Sequence, residues 1–345
     1  MAINFNIGQQ LVGANAPCYI IAEIGSNHNQ DLIKAKELIA AAKQAGANAA
    51  KFQALNFDKV HLSDKCNVKY KKLYEQISFC EDWYAPLAEY CKQQDIDFFS
   101  SVTYLEAVDL LVKYNAPCIK IASAQFDIFP EIVAKAASTG LPLIMSTGLS
   151  NYGGIEKTLA LVKKTGNNKI ILMHCITEYP AEIARINLKL IATYRQAFGC
   201  LVGYSDHSLS VAIPSAAVAL GAVAIEKHLT LNRNATGPDH HFAIMPDEFA
   251  EMVTYIRQVE QALGTGIKQP LNTNEQLQRD AFLYKWVTDK PLKANEKICR
   301  AKLKLRRIEG GIERDAIDLL ESFKSNIALD NNTKLEWKHL SYVEE

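Results

Sequence analysis

Two histidines, His207 and His228, end the last two of a series of short apolar segments, and their chemistry suits metal binding. Neutral imidazole nitrogen is a good ligand for a borderline divalent ion. If the two segments are neighbouring strands, the side chains at their ends come within reach of one ion. Histidines that only hydrogen-bond a ligand or the backbone would show the same spacing, and the spacing alone does not decide between these interpretations.

A second set of polar side chains offers cations and hydrogen-bond donors at the ends of the apolar segments. Its members are Lys51, Ser101, Lys120, Ser123, Thr177 and Ser205. Two lysines that project from buried strands are costly unless a negative charge neutralises them. A bound phosphate or carboxylate would do so through charge-assisted hydrogen bonds. Internal pairing with Glu23 or Glu226 is the alternative, and we favour the anion site.

Three further side chains could act in catalysis or pack beside the site. Glu23 is a carboxylate inside an otherwise apolar segment, where burial would raise its pKa and fit it for acid–base work, although pairing with a lysine is an alternative role. Asp239 lies in the polar loop 237–241 and could orient a metal-bound histidine or water, unless that loop is a plain turn. Cys175 is interpreted as a packing residue, because a buried thiol is usually inert.

The elements that must position these side chains are eight short apolar segments rich in β-branched residues. They span residues 19–25, 49–53, 97–102, 118–123, 142–147, 170–175, 201–207 and 222–228. Amphipathic stretches with apolar residues at helical spacing alternate with them, among them 31–45, 107–114, 155–164 and 211–220. Apolar strands joined by helices indicate parallel strands buried on both faces. Eight repeats predict a closed (β/α)8 barrel over residues 1–265, with its active site at the carboxyl ends of the strands.

The remainder of the chain predicts a second, smaller domain. Residues 266–280 are polar and follow Gly264, which predicts a linker. Residues 281–345 consist of short mixed segments with a turn at Gly310-Gly311. A unit of this size is too small to catalyse by itself, so we expect a cap or an interface module.

Composition excludes several classes of function. Lys plus Arg and Asp plus Glu both total 38, so the formal net charge is zero, which argues against a surface specialised for nucleic acid or anionic membrane. No apolar stretch is long enough to span a bilayer. Eight cysteines are scattered without a framework spacing, which predicts reduced thiols in a cytoplasmic protein.

Seven short motifs follow one another in order along the chain, each at a predicted strand end or in the loop after it. They cover residues 20–28 (IIAEIGSNH), 51–53 (KFQ), 120–123 (KIAS), 174–180 (HCITEYP), 203–207 (GYSDH), 226–228 (EKH) and 237–240 (GPDH). Together they resemble the sialic acid synthase family, which includes the N-acetylneuraminate, legionaminic acid and pseudaminic acid synthases. The resemblance is strong over residues 15–265 and weak beyond them.

The resemblance implies a TIM barrel followed by a small antifreeze-like (SAF-type) domain, exchanged between the protomers of a homodimer. It implies that C3 of phosphoenolpyruvate attacks the aldehyde of an N-acetylmannosamine-type amino sugar, that water adds at C2, and that phosphate leaves. A divalent metal on His207 and His228, expected to be manganese with magnesium or cobalt as alternatives, would contact the aldehyde oxygen. Glu23 would handle the water.

The family pattern also implies the contacts of both substrates. Phosphoenolpyruvate would lie across Lys51, Gln53, Ser101, Lys120, Ser123, Thr177 and Ser205. The amino sugar would contact Gln125, Tyr179, Asp239 and, from the partner protomer, Arg307. Gln125 stands where the family usually carries an acid, so a sugar with a different group at that point is expected. Asn295 replaces a turn glycine, and Ile308 with Glu309 replaces the Pro-Gly pair that follows the arginine.

Two other functions compete with this interpretation. A phosphoenolpyruvate-dependent synthase of seven- or eight-carbon sugar acid phosphates would lack the C-terminal domain and usually carries a metal-binding cysteine near the first strand, where Cys18 does not fit. A non-catalytic carbohydrate-binding relative would have lost the histidines or the lysines, yet all four are present. The sequence leaves open which amino sugar and which metal are used.

Overall fold

The computed structural model describes residues 3–61 and 68–343. The chain divides into two compact units, Met1–Thr265 and Gly266–Glu345. Each unit buries its own apolar cluster. No helix in the described part of the chain is both long enough and apolar enough to cross a membrane.

Within the described residues of the first unit, eight parallel strands close into a barrel in which the last strand pairs with the first. The hairpin β1 (Asn4–Ile7) and β2 (Gln10–Gly13) precedes them. The barrel strands are β3 (Tyr19–Glu23), β4 (Ala49–Ala54), β5 (Asp97–Val102), β6 (Ile119–Ile121), β7 (Leu143–Ser146), β8 (Ile170–Cys175), β9 (Leu201–Asp206) and β10 (Ala224–His228). The predicted barrel is confirmed, and all eight segments are strands.

Helices alternate with these strands as the amphipathic pattern predicts. They are α1 (Leu32–Gln44), α2 (Phe57–Val60), α3 (Val68–Ile77), α4 (Tyr84–Gln93), α5 (Leu105–Lys113), α6 (Pro130–Ser138), α7 (Tyr152–Lys164), α8 (Leu190–Phe198), α9 (Ile213–Ala219) and α10 (Pro246–Leu263). In α1 the Asp31 carboxylate accepts hydrogen bonds from the first free amides of the helix. The same helix buries Ala35, Leu38, Ile39 and Ala42, which lie on one face because they are three and four residues apart.

The strands β3, β8, β9 and β10 are buried along their whole length. Burial therefore extends to the polar side chains at their carboxyl ends, such as Glu23, Ser205 and Glu226. Because a buried polar group is costly without a partner, these side chains must bind one another or a ligand. The fold thus places several buried polar and charged side chains together at one end of the barrel.

The second unit is built from two short antiparallel pairs around a small core. Its elements are α11 (Thr273–Phe282), β11 (Tyr284–Thr288), β12 (Leu303–Arg307), α12 (Ile317–Leu320), β13 (Phe323–Ser325) and β14 (Leu340–Tyr342). Strand β11 pairs with β12, and β13 pairs with β14. The antifreeze-like identity of this unit stays a prediction.

Part of the expected linker, residues 266–280, is helical. Helix α11 begins after Asn272, whose side chain accepts from the Glu275 amide while the Glu275 carboxylate accepts from the Asn272 amide. This reciprocal cap starts a helix without any apolar face. The polar composition concealed it, because no residue of α11 is buried.

Asn295 lies in a turn. Asn295 has a φ of 62°, in the left-handed region that its family glycine would occupy. Gly310 and Gly311 also have positive φ, at 66° and 87°. The turn after β12 therefore forms on these two glycines, although Ile308 and Glu309 replace the usual Pro-Gly pair.

Candidate active site

The two histidines expected to bind a metal lie side by side at the carboxyl end of the barrel. Strand register pairs Ser205 with Glu226 and Asp206 with Lys227, so His207 and His228 continue the same ladder. Their ring centroids are 5.6 Å apart. Adjacent strands therefore bring them together, as the sequence predicts.

The hydrogen bonding of the two rings leaves nitrogens free for a ligand. His207 Nδ1 donates to the Ile176 carbonyl at 2.7 Å, which makes Nε2 the unprotonated nitrogen. His228 Nδ1 is buried and has no hydrogen-bond partner. Burial lowers the pKa of each ring to about 4, so both are neutral at physiological pH. These are the properties that a metal ligand requires.

These histidines fit an open metal site. The described residues contain no group of three or more His, Cys, Asp or Glu side chains that could hold an ion. The pair would therefore supply two nitrogens and leave other coordination positions for water or substrate oxygens, which is typical of a catalytic site. The ring centroid of Tyr179 lies 4.3 Å from that of His207, and the ring centroid of Phe242 lies 4.7 Å from that of His228. These two aromatic rings therefore pack next to the histidine pair.

The two buried lysines are paired with carboxylates inside the barrel. Lys51 Nζ lies 2.6 Å from Glu23 Oε2 and 3.7 Å from Glu226 Oε2. Lys120 Nζ lies 2.7 Å from Glu226 Oε2, and the Ser205 hydroxyl donates to Glu226 Oε1 at 3.0 Å. The internal pairing that the sequence left as an alternative is therefore present. It does not exclude an anion, because the lysines can exchange a carboxylate for a ligand oxygen.

The two carboxylates of this network have pKa values shifted in opposite directions. Burial raises the pKa of Glu23 above its ordinary value, although Lys51 opposes the shift. Burial also acts on Glu226, but the ammonium groups of Lys120 and Lys51 outweigh it and lower the pKa of Glu226 below its usual range. Gln53 Nε2 donates to Glu23 Oε1 at 2.6 Å. Glu23 is thus the carboxyl group suited to exchange a proton, and Glu226 is a fixed anion.

Hydroxyl groups crowd the ends of β6, β7 and β8 around Gly148. The Gly148 amide donates to Ser123 Oγ at 3.0 Å. A β-carbon at Gly148 would lie 2.3 Å from Thr177 Oγ1 and 2.7 Å from Cys175 Sγ, so only glycine fits there. The hydroxyls of Thr177 and Ser146 are buried without a partner. Unpaired buried donors of this kind suit phosphate or carboxylate oxygens.

Backbone register extends this polar surface to the residues expected to hold phosphoenolpyruvate. Ser101 is the register partner of Gln53 on one side and of Lys120 on the other. Ser101 is buried, as are both lysines. The seven predicted positions therefore lie at one end of the barrel, on β4, β5, β6, β9 and the loops after β6 and β8.

The residues expected to bind the sugar belong to both units, Gln125, Tyr179 and Asp239 to the first and Arg307 to the second. Gln125 Oε1 is buried without a partner, and Tyr179 is 45% exposed above the histidines. Asp239 Oδ2 accepts from the Ser26 amide and hydroxyl, at 3.0 and 2.8 Å, so this oxygen anchors the loop that follows β3. Arg307 belongs to the second unit, where its guanidinium lies 5.0 Å from the ring centroids of Phe282 and Tyr284.

Two polar strand-end side chains, Glu226 and Ser146, join the candidate site although the sequence predicts no specific role for them. Glu226 was weighed only as a partner for a lysine, yet its carboxylate joins two lysines and Ser205. Ser146 ends β7 with an unpartnered buried hydroxyl, and no role was assigned to it. Its position at a strand end was the feature that could have identified it.

Comparisons with known proteins agree with this geometry. The sequence model of the NeuB family matches residues 38–268. An uncharacterized protein of Methanocaldococcus jannaschii, MJ1065, is 37% identical over 97% of this chain and 98% of its own length. The N,N'-diacetyllegionaminic acid synthase of Legionella pneumophila is 32% identical over 95% of this chain and 96% of its own length. A crystal structure of the N-acetylneuraminic acid (sialic acid) synthetase from Leptospira borgpetersenii, in complex with citrate, has 33% identity and a TM-score of 0.75, covering 81% of this chain and 96% of that one.

Proposed function

This chain belongs to the NeuB family, and from that premise we propose that it condenses phosphoenolpyruvate with an N-acetylmannosamine-type amino sugar to give a nonulosonic acid and phosphate. The observation that carries the proposal is the buried strand-end network. It places two neutral histidines, two lysines and a carboxyl group of raised pKa at one end of the barrel. Bond formation between an anionic nucleophile and a carbonyl needs these three kinds of group.

Phosphoenolpyruvate would bind across Lys51, Gln53, Ser101, Lys120, Ser123, Thr177 and Ser205. Its phosphate and carboxylate would replace part of the pairing that Lys51 and Lys120 now make with Glu23 and Glu226. The unpartnered Thr177 and Ser146 hydroxyls supply two further donors. The contacts of the Glu226 carboxylate with two lysines and a serine support the proposal that these side chains bind anionic oxygens.

The histidine pair would hold the cofactor. A divalent ion there, which we take to be manganese with magnesium or cobalt as alternatives, would supply a Lewis acid for the aldehyde oxygen of the sugar. His207 would present Nε2, since its Nδ1 is committed to the Ile176 carbonyl. Tyr179 and Phe242 would limit the access of water to the same point.

In the proposed reaction the electron pair of the C2–C3 double bond of phosphoenolpyruvate forms a bond from C3 to the sugar's aldehyde carbon, and the aldehyde oxygen takes up a proton to become a hydroxyl. One water molecule adds its oxygen to C2 and loses one proton. The bond between C2 and the phosphate oxygen then breaks, phosphate leaves with that electron pair, and the added oxygen loses its second proton to become the C2 carbonyl. Glu23 would take the proton from that water, because burial raises its pKa toward the range in which a carboxylate acts as a base at neutral pH. Gln53 holds the Glu23 carboxylate in place for this step through its hydrogen bond to Oε1.

The sugar would be recognised by Gln125, Tyr179, Asp239 and Arg307. The free acceptor on Gln125 supports a contact with a hydroxyl or amide N–H of the sugar. We propose that Arg307 comes from the antifreeze-like unit of the partner in a domain-swapped cytoplasmic homodimer. Exposed apolar side chains on loops after the barrel strands, including Ile128, Leu149 and Ile183, support a partner surface at this end.

Replacing Arg307 with alanine should weaken the sugar more than phosphoenolpyruvate. Arginine contacts of this type contribute about 1.5–3 kcal/mol, so we expect the KM for the sugar to rise roughly tenfold to a hundredfold. Steady-state kinetics with each substrate varied in turn would measure it. Arg306→Ala is the matched control, since Arg306 neighbours Arg307 at the end of β12. Equal effects on both substrates, or none, would remove Arg307 from the sugar site.

The proposed function is tested by phosphate release from phosphoenolpyruvate in the presence of Mn²⁺. N-acetylmannosamine, its 6-phosphate and a 2,4-diacetamido-trideoxy hexose would be assayed in parallel. Release that requires one sugar and stops with a chelator supports the proposal and identifies the acceptor. If no sugar promotes release under conditions in which phosphoenolpyruvate binds, the proposed condensation is wrong.

A further inference from the structure

A buried ion pair lies directly behind the two histidines. Asp206 and Lys227 are register partners on β9 and β10, and their side chains are 0% and 1% exposed. Side chains alternate along a strand, so these two point to the opposite face from Ser205 and Glu226, whose contacts lie inside the barrel. Helix α9 packs on this outer face of β9 and β10. The mechanism proposed above does not use either residue.

Every donor of the Lys227 ammonium is engaged. Lys227 Nζ lies 2.5 Å from Asp206 Oδ2, donates to the Ser208 carbonyl and donates to the Ser210 carbonyl at 3.1 Å. The Asp206 carboxylate also accepts from the Tyr204 hydroxyl at 3.0 Å and from the Ser208 amide at 2.9 Å. The pair therefore ties the segment after His207 back to the strand that carries His228.

The presence of the Asp206–Lys227 pair is better explained by its effect on backbone geometry than by a contribution to the stability of the fold. Buried ion pairs contribute little to stability relative to well-packed apolar residues, because both charges lose their hydration. A fully bonded pair does fix one arrangement of the backbone. Here the fixed backbone includes His207 itself, whose carbonyl accepts from the Ala181 amide at 3.0 Å. The His207 ring is oriented separately, by its bond to Ile176.

We propose that Asp206 and Lys227 are positioning residues that set the separation and orientation of His207 and His228 for a metal ion. Each member is adjacent in sequence to one histidine, so a shift of either backbone moves an imidazole. This inference rests on the proposed metal site. It assigns the geometry of that site to an ion pair on the outer face of the sheet, which is the face away from the substrates.

The test measures the dissociation constant of Mn²⁺ for the full chain. Electron paramagnetic resonance monitors the binding through the signal of the free ion. Lys227→Met removes the ammonium but keeps most of its volume, and Asp206→Asn keeps the shape while it removes the charge. Residues that orient metal ligands typically change metal affinity by about tenfold to a hundredfold. We expect a rise of the Mn²⁺ dissociation constant in that range for Lys227→Met, a smaller rise for Asp206→Asn, and unchanged phosphoenolpyruvate affinity without metal.

Asn167→Ala is the matched control for loss of fold stability. The buried Asn167 side chain also binds two backbone carbonyls, of Ala137 and Leu141, but it precedes β8 at the amino end of the barrel. This variant should lower the melting temperature and leave Mn²⁺ affinity unchanged.

The remaining outcomes are also decisive. If Lys227→Met and Asp206→Asn lower the melting temperature but bind Mn²⁺ as tightly as the unaltered chain, the pair is structural only and the inference fails. If Lys227→Met does not fold, Asp206→Asn decides by the same criterion. Failure of the unaltered chain to bind Mn²⁺ would instead overturn the proposed metal site, and this inference with it.

Discussion

Replacing His207 with alanine should abolish Mn²⁺-dependent phosphate release while the protein remains folded. The substitution removes one of the two nitrogens that would hold the proposed ion. Loss of a Lewis acid removes several kcal/mol of transition-state stabilisation, and about 4 kcal/mol corresponds to roughly a thousandfold in rate. Turnover of purified protein with saturating substrates and a series of Mn²⁺ concentrations would measure the loss.

His240 offers a matched control for the loss of a buried histidine. Both of its ring nitrogens have partners, since Nδ1 contacts Thr230 Oγ1 at 2.7 Å and Nε2 contacts Asn29 Oδ1 at 3.0 Å. His240→Ala should therefore disturb the loop around it and keep the affinity for Mn²⁺. Near-normal turnover of metal-depleted His207→Ala would contradict the assignment of the metal to this pair.

The architecture of the barrel could be predicted from the chain because two simple patterns coincide. Uninterrupted apolar segments such as 170–175 identify strands buried on both faces, and the helical spacing between them identifies the crossovers. Polar residues at the strand ends then locate the site, since parallel strands of a barrel all end on one face. The positions of His207 and His228 follow from this argument without any knowledge of side-chain contacts.

What the sequence could not predict depends on distances across the barrel. Lys120 and Glu226 are separated by 106 positions and lie on β6 and β10, which are not neighbours, so no local pattern pairs them. The unpartnered hydroxyl of Ser146 likewise depends on where the ends of β7 and β8 lie in space. Helix α11 was not predicted for a different reason. Its cap is a local feature, but its surface carries no apolar stripe that would indicate a helix.

Glu23→Gln should retain phosphoenolpyruvate binding and condense it very slowly. The amide keeps the shape of the side chain but cannot accept the proton of the attacking water. A positioned general base contributes about 10²–10⁴-fold, so we expect a loss of kcat in that range at saturating substrate. Binding measured by isothermal titration and turnover measured by phosphate release would separate the two effects. An unchanged kcat would remove Glu23 from the mechanism.

The Glu226→Gln variant tests whether the two carboxylates of this network have different roles, Glu23 as the proton acceptor and Glu226 as a fixed anion. Glu226 holds Lys120 at 2.7 Å and also approaches Lys51, whereas Glu23 contacts Lys51 and Gln53. Loss of the Glu226 charge should therefore remove an anion that competes with phosphoenolpyruvate for the two lysines and change the affinity for phosphoenolpyruvate, while loss of the Glu23 charge should lower kcat. If both variants altered only the affinity for phosphoenolpyruvate, both carboxylates would be partners of the lysines, and a different group would have to accept the proton of the water.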